Sequence, residues 1–220
     1  MPKIKLPGLV AILSSPSGTG KTTICRNLIN RHEDFIFSIS ATTRPRRGRE
    51  KDHVDYHFLS DAEFDSMIRQ NELAEWAFVF GQRYGTPFSE IQKAILQHRV
   101  LLCDIDVQGG LTLKEKYNEA VTIFLIPPSY TELKSRLFRR KTDSAEQKRI
   151  RLETAIKELE HWHRYDYIVL NDDLKKATNE VDMIIAAERA KTSRRNESLF
   201  WSRSQAKLLG LGEQGESASR

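Results

Sequence analysis

Residues 9–23 read Leu-Val-Ala-Ile-Leu-Ser-Ser-Pro-Ser-Gly-Thr-Gly-Lys-Thr-Thr. Leu9 to Leu13 is a continuous apolar run ended by a Ser/Pro/Gly cluster, which predicts a buried strand feeding a loop. From Thr22 the apolar residues recur at helical spacing, with Ile24, Leu28 and Ile29 on one side. A strand, a glycine-bearing loop and a helix opening on Lys21-Thr22-Thr23 make a phosphate cradle. The glycines let successive N–H groups turn toward one anion, and the helix start adds its partial positive charge. In such a loop Lys21 reaches the β- and γ-phosphates of a nucleotide and the Thr22 hydroxyl serves Mg²⁺. The residues expected to contact the nucleotide are Ser15, Pro16, Ser17, Gly18, Thr19, Gly20, Lys21, Thr22 and Thr23. Ser15 stands where the strict spacing has glycine, and a serine fits there if its φ is negative.

Further along, strands are expected at Phe35 to Ile39, Val100 to Asp104, Val121 to Ile126 and Tyr167 to Leu170. Ser60/Glu63, Ser129/Glu132 and Ser144/Gln147 read as capping boxes. The first opens a helix with Phe64, Met67 and Ile68 inward. The third opens a long helix with Leu152, Ile156, Leu159 and Trp162 in register. Thr86-Pro87 precedes another helix with proline at its first position, and Asp173 caps one running to about Lys191. Strands alternating with helices imply right-handed crossovers and a parallel sheet covered on both faces. The polar segment 41–90 and the Arg-rich helical pair around 130–160 interrupt that alternation and read as insertions. The Gly/Ser/Glu-rich end from Gly210 has little to bury and reads as a loose tail.

The 220-residue chain is 39% hydrophobic and 30% charged, which excludes a disordered chain and fits a globular one. Two cysteines, Cys25 and Cys103, cannot build a disulfide framework, so a reducing, cytoplasmic setting is expected. Apolar runs are too short for a membrane span, and the N-terminus lacks a secretory signal pattern. The net charge of +5 is concentrated in basic blocks at 42–49, 136–141 and 191–195.

The first block, within Ser40-Ala41-Thr42-Thr43-Arg44-Pro45-Arg46-Arg47-Gly48, sets several guanidiniums on a proline-stiffened chain. Guanidinium forks hold phosphate at two points, which lysine cannot do. Tyr56 and Tyr84 can add hydroxyls. Glu75, and Asp106 two residues after Asp104, are carboxylates suited to a base offering N–H donors. Guanine offers N1–H and an amino group, whereas adenine offers an acceptor at N1, so this pair selects guanine. Both Asp side chains share a face if the strand continues to Asp106. Asp104, at a strand end, can hold the water shell of a metal. Two plainer readings stand beside these: Glu75 as an exposed helix-end acid, and Thr86 as an N-cap before Pro87.

These motifs together resemble the guanylate kinase family. The resemblance covers SATTRPRRGRE (40–50), DYHF (55–58), EWAFVFGQRYGTP (75–87), DIDVQGG (104–110), PPS (127–129), RLFRRKTDS (136–144), RIRL (149–152) and YDYIVLNDDL (165–174). It implies an α/β fold made of a P-loop NTPase core with a parallel sheet, an inserted GMP-binding subdomain and a helical lid. The expected limits are core at about 1–39, 91–129 and 162–208, insert at about 40–90, lid at about 130–161 and tail at 209–220. It further implies Mg-dependent phosphoryl transfer from ATP to GMP, with neither nucleic acid, membrane nor obligate protein partner. Residue by residue, Ser40, Glu75, Thr86 and Asp106 match the guanine contacts. Arg44, Arg47, Tyr56 and Tyr84 match the GMP-phosphate contacts. Arg136, Arg140 and Arg151 match the lid arginines, and Asn171 falls on the adenine side. Lys141 and the 48–53 loop depart from the family pattern. The competing readings are a catalytically silent phosphopeptide-binding module, a P-loop kinase for another acceptor, and a basic nucleic-acid binder. The intact Gly18, Gly20, Lys21 and Thr22 weigh against the first, the Glu75/Asp106 pair against the second, and the location of the arginines in nucleotide motifs against the third.

Overall fold

The computed structural model describes residues 6–16, 19–138 and 145–194. Its central element is β1 (Leu9–Ser14), buried along its whole length. β1 is flanked by β7 (Val100–Asp104) and β8 (Val121–Ile126), with β2 (Phe35–Phe37) and β9 (Tyr167–Leu170) outside them. Every pairing in this five-stranded sheet is parallel. A strand that lies between two others and under helices on both faces has no polar side, which accounts for the unbroken apolar run. Alternate residues still part company. Leu9, Ala11 and Leu13 pack with Ile24 and Leu28 of α1 (Lys21–Arg31) and with Val181 and Ile185 of α7 (Leu174–Ala190). Val10 and Ile12 pack on the other face with Ile91 and Ala94 of α3 (Phe88–Leu96) and Leu113 of α4 (Val107–Lys116).

Between β2 and α3 the chain builds a second sheet, in the order β4 (His57–Phe58), β3 (Ala41–Thr42), β6 (Gln82–Pro87), β5 (Leu73–Val79). β3 and β4 are parallel, whereas β6 runs antiparallel to both β3 and β5. α2 (Asp61–Arg69) covers this sheet through Phe64, Met67 and Ile68, as their spacing requires. Its capping box is complete: Ser60 Oγ accepts from Glu63 N, and the Glu63 carboxylate accepts from Ser60 N. The other helical pair is α5 (Tyr130–Phe138) and α6 (Ala145–Leu159), joined by a small core of Leu133, Leu137 and Ala155.

Several expected boundaries shift. The second strand stops at Phe37 rather than Ile39. The helix after Thr86-Pro87 starts at Phe88, because Pro87 is its N-cap and still belongs to β6. Thr86 is therefore a strand residue and not a cap. Trp162 leaves the helical register: α6 ends at Leu159, and Trp162 opens a short 3₁₀ turn, half exposed. Ala155, not Ile156, is the buried contact of α6. Ser129 caps as expected, its Oγ accepting from Glu132 N, while Ser144 lies outside the described residues. Among the described residues no helix is long and apolar enough to cross a membrane.

Candidate active site

The loop after β1 is folded around its own side chains. Lys21 Nζ turns back to donate to the Ser15 carbonyl at 3.1 Å and to Ser15 Oγ at 3.0 Å. Thr19 Oγ1 donates to the Pro16 carbonyl at 2.8 Å and meets Ser15 Oγ. Ser15 has no positive φ, so the missing glycine leaves no strain, and its hydroxyl becomes part of the lysine seat. Gly20, the N-cap of α1, has φ 97°, a conformation natural to glycine. Asn171, at the end of β9, is buried and donates its amide N–H to the Thr19 carbonyl. The Asn171 carbonyl in turn accepts from Arg136 Nη2 at 3.2 Å, and Arg136 Nε donates to Glu132 at 2.7 Å. Thus Arg136 and Asn171 brace the loop from the β9 side.

Asp104 ends β7 directly across from Leu13. Its carboxylate accepts from Thr22 Oγ1 and lies 3.9 Å from Lys21 Nζ. A hydroxyl and a carboxylate side by side are hard oxygen donors, which suits Mg²⁺ better than a softer metal. Thr23 is exposed, and Ser17 and Gly18 lie outside the described residues.

Opposite stands the second sheet. Glu75 is 2% exposed, on β5 rather than at a helix end. Its Oε1 accepts from Thr86 Oγ1 at 2.6 Å across the β5–β6 ladder. Burial pushes the Glu75 carboxyl up to about 7, and the charge of Asp106 acts in the same direction. Asp106 is not a strand residue sharing a face with Asp104, because β7 stops two residues earlier. It is the N-cap of α4, accepting from Gln108 N at 3.1 Å, and burial raises its carboxyl as well. Gly109 lets these two acids share one site. A Cβ there would sit 2.6 Å from Glu75 Oε2 and 3.0 Å from Asp106 Oδ1. Nothing local to the sequence marks this glycine apart from its place in the 104–110 motif.

The guanidinium of Arg44 is buried and heavily committed. It forks onto Glu50, with Nη2–Oε1 at 2.8 Å and Nη1–Oε2 at 3.0 Å. Nε donates to the Tyr84 hydroxyl at 3.1 Å and Nη1 to the Pro45 carbonyl at 2.7 Å. Tyr56 and Phe58 offer ring faces at 5.2 and 5.6 Å. Glu50 also accepts from Arg47 N, while the Arg47 side chain is exposed. Glu50 is the anchor that residue-type reasoning missed, because its partner lies across a turn. Its carboxyl is held low by Arg44 and by the Arg47 amide against the opposing effect of burial.

One cavity of about 150 Å³ joins the two halves. Ser15, Lys21, Asp104 and Asp106 line it from the core, and Ser40, Tyr56, Glu75 and Tyr84 line it from the inserted segment. Arg44 stands behind Tyr84, and Thr86 behind Glu75. Arg151 lies outside this lining, with its guanidinium 4.2 Å from the centroid of the Phe80 ring. Arg140 and Lys141 fall outside the described residues. Cys25 and Cys103 are buried in the core, and burial raises both thiols, so neither serves as a nucleophile.

Comparison with known proteins gives the same picture. The guanylate kinase family model matches residues 9–188. Guanylate kinase of Nitrobacter hamburgensis is 49% identical over 189 residues, 86% of each chain. That of Agrobacterium fabrum is 46% identical over 190 residues, again 86% of each. The crystal structure of guanylate kinase from Anaplasma phagocytophilum superposes with a TM-score of 0.76 at 31% identity, over 96% of this chain and 99% of that one. The family-model match over residues 9–188 and relatives 46–49% identical over most of both chains make the chain a member of the guanylate kinase family, the nucleoside monophosphate kinases that phosphorylate GMP from ATP.

Proposed function

We propose that this cavity is where GMP meets the γ-phosphate of ATP, and that the residues on its two walls divide the work. The observation that carries this reading is that Lys21 and the Glu75/Asp106 pair line one space. Glu75 and Asp106 accept from the N1–H and amino group of guanine, with Thr86 orienting Glu75 and Ser40 beside them. Tyr56, Tyr84, Arg44 and Arg47 hold the GMP phosphate. Ser15 to Thr23 cradle the ATP phosphates. Thr22 and Asp104 would hold Mg²⁺, Asp104 through water. Mg²⁺, when bound, supplies charge neutralisation on the ATP phosphates. Asn171, assigned to the adenine side, also secures the loop carbonyl at Thr19.

The transfer forms a bond from a GMP phosphate oxygen to the γ-phosphorus and breaks the bond from that phosphorus to the bridging oxygen of ADP. The attacking oxygen is already an anion at neutral pH, so no strong general base is needed. What the chain supplies is in-line placement and compensation of charge by Lys21 and by Arg136, Arg140 and Arg151. Water competes as acceptor, which is why the segments at about 40–90 and 130–161 are read as closing parts around a core. Cytoplasmic residence, action without nucleic acid or membrane, and independence from an obligate partner belong to the same reading.

The test is ADP formation measured in parallel with GMP, AMP, UMP and CMP. GMP turnover should dominate, and comparable turnover of AMP would end the guanine assignment. Arg44→Ala that left GMP turnover within about twofold of the parent would end the phosphate assignment, since removing one partner of a buried charge pair costs about 2–5 kcal/mol.

A further inference from the structure

The hairpin between β5 and β6 turns on Phe80 and Gly81, with φ of 50° and 79°. A two-residue turn with both φ positive suits Asn-Gly or Gly-Gly. A bulky aromatic in the left-handed region is strained, and such strain persists only where surroundings hold it. Burial within its own sheet is not the reason, because Phe80 remains 45% exposed. Its ring instead faces another element, lying 4.2 Å beneath the guanidinium of Arg151 in α6. On its other side Phe80 lines the cavity that holds Lys21, Glu75 and Tyr84. One strained side chain therefore touches both the acceptor cavity and the helical pair.

We propose that Phe80 is a positioning residue for phosphoryl transfer, the handle by which the GMP-side hairpin carries Arg151. Movement of the hairpin around bound GMP would bring the arginine with it, so that this charge arrives only when an acceptor is present. A ring face suits this task. It attracts a guanidinium through the quadrupole of the ring. The inference rests on the assignment of Arg151 to the transferring phosphate.

Phe80→Asn separates the ring from the fold, because asparagine relieves the turn while deleting the stack. We expect a melting temperature equal to or above the parent's and a KM for GMP within about twofold. kcat should fall about 5- to 30-fold, the scale of a partly desolvated cation–π contact. Phe80→Tyr should keep kcat within about twofold. Arg151→Ala should lose at least as much as Phe80→Asn, and combining the two should add no more than about twofold. Parental kcat in Phe80→Asn with a slow Arg151→Ala would overturn the handle and leave the phosphate role of Arg151 standing. Parental kcat in both would overturn both. A raised KM with unchanged kcat, or fully multiplicative losses in the double variant, would also overturn it, by showing that the ring acts on GMP directly or through another group.

Discussion

The two walls of the cavity present their charges by different means. On the core wall the chain path does most of the positioning. Gly20 adopts φ 97°, the Lys21 ammonium returns to the Ser15 carbonyl six residues back, and Asn171 ties down Thr19. On the insert wall the positioning is done by side chains on side chains. Arg44 is seated by Glu50 and Tyr84, and Glu75 by Thr86. The first wall sits on a strand buried between two neighbours. The second rests on the inserted sheet, with Glu75 on β5, Tyr84 and Thr86 on β6, and Arg44 and Tyr56 beside β3 and β4. A backbone cradle is thereby attached to a fully buried strand, whereas a side-chain cradle depends on contacts between side chains. The donor side should accordingly act mainly on the rate of transfer and the acceptor side mainly on binding and selectivity.

Lys21→Ala gives the largest effect expected from this division. Losing a donor aimed at developing charge should lower kcat about 10²–10³-fold, with little change in the KM for GMP, measured by coupled ADP release. An effect confined to KM would break the contrast. Next comes Arg44→Ala, which should reduce kcat/KM for GMP by at least about 2 kcal/mol, or roughly 30-fold, chiefly through KM. Steady-state kinetics at varied GMP would show it, and a pure kcat loss would blur the two walls into one.

A smaller effect is expected from pH. Since Glu75 titrates near about 7, its carboxylate form grows as pH rises, so kcat/KM for GMP should climb about tenfold between pH 6 and pH 8. That climb should flatten in Glu75→Gln. The stability sign is opposite. A carboxyl raised on folding favours the folded state below its unfolded value of 4.5, and that contribution is lost as pH rises through about 7. Glu75→Gln should therefore melt later than the parent above pH 7, and earlier melting there would refute the burial argument. The smallest effect belongs to Ser60→Ala, which removes the α2 capping box, costing about 1 kcal/mol in denaturant unfolding. GMP kinetics should stay unchanged, because neither Ser60 nor Glu63 lines the cavity.

Legibility in the sequence followed the range of each interaction. The loop of 14–23 could be read because its chemistry comes from consecutive residues, and the Ser60 and Asp173 caps because a cap reaches only three residues. Glu75 and Asp106 were readable as a matched pair of acids, but not in their settings. One lies mid-strand and the other caps a helix, so Asp104 and Asp106 do not share a strand face. Gly109 and Phe80 were not legible as site residues. The demand on Gly109 comes from Glu75, 34 positions away, and that on Phe80 from Arg151, 71 positions away.

Sequence alone determined that a strand, a loop and a helix would follow one another around Lys21, that guanidiniums and acids would follow, and that the guanylate kinase motifs would occur in order. These depend on local geometry and residue chemistry, which travel with the chain. Tertiary structure alone decided that Lys21 and Glu75 line one cavity, that Glu50 and Tyr84 seat Arg44, and that Arg151 rests on Phe80. Those contacts exist because a parallel sheet and an inserted mixed sheet pack side by side, bringing together residues whose separation along the chain carries no information about their distance in space.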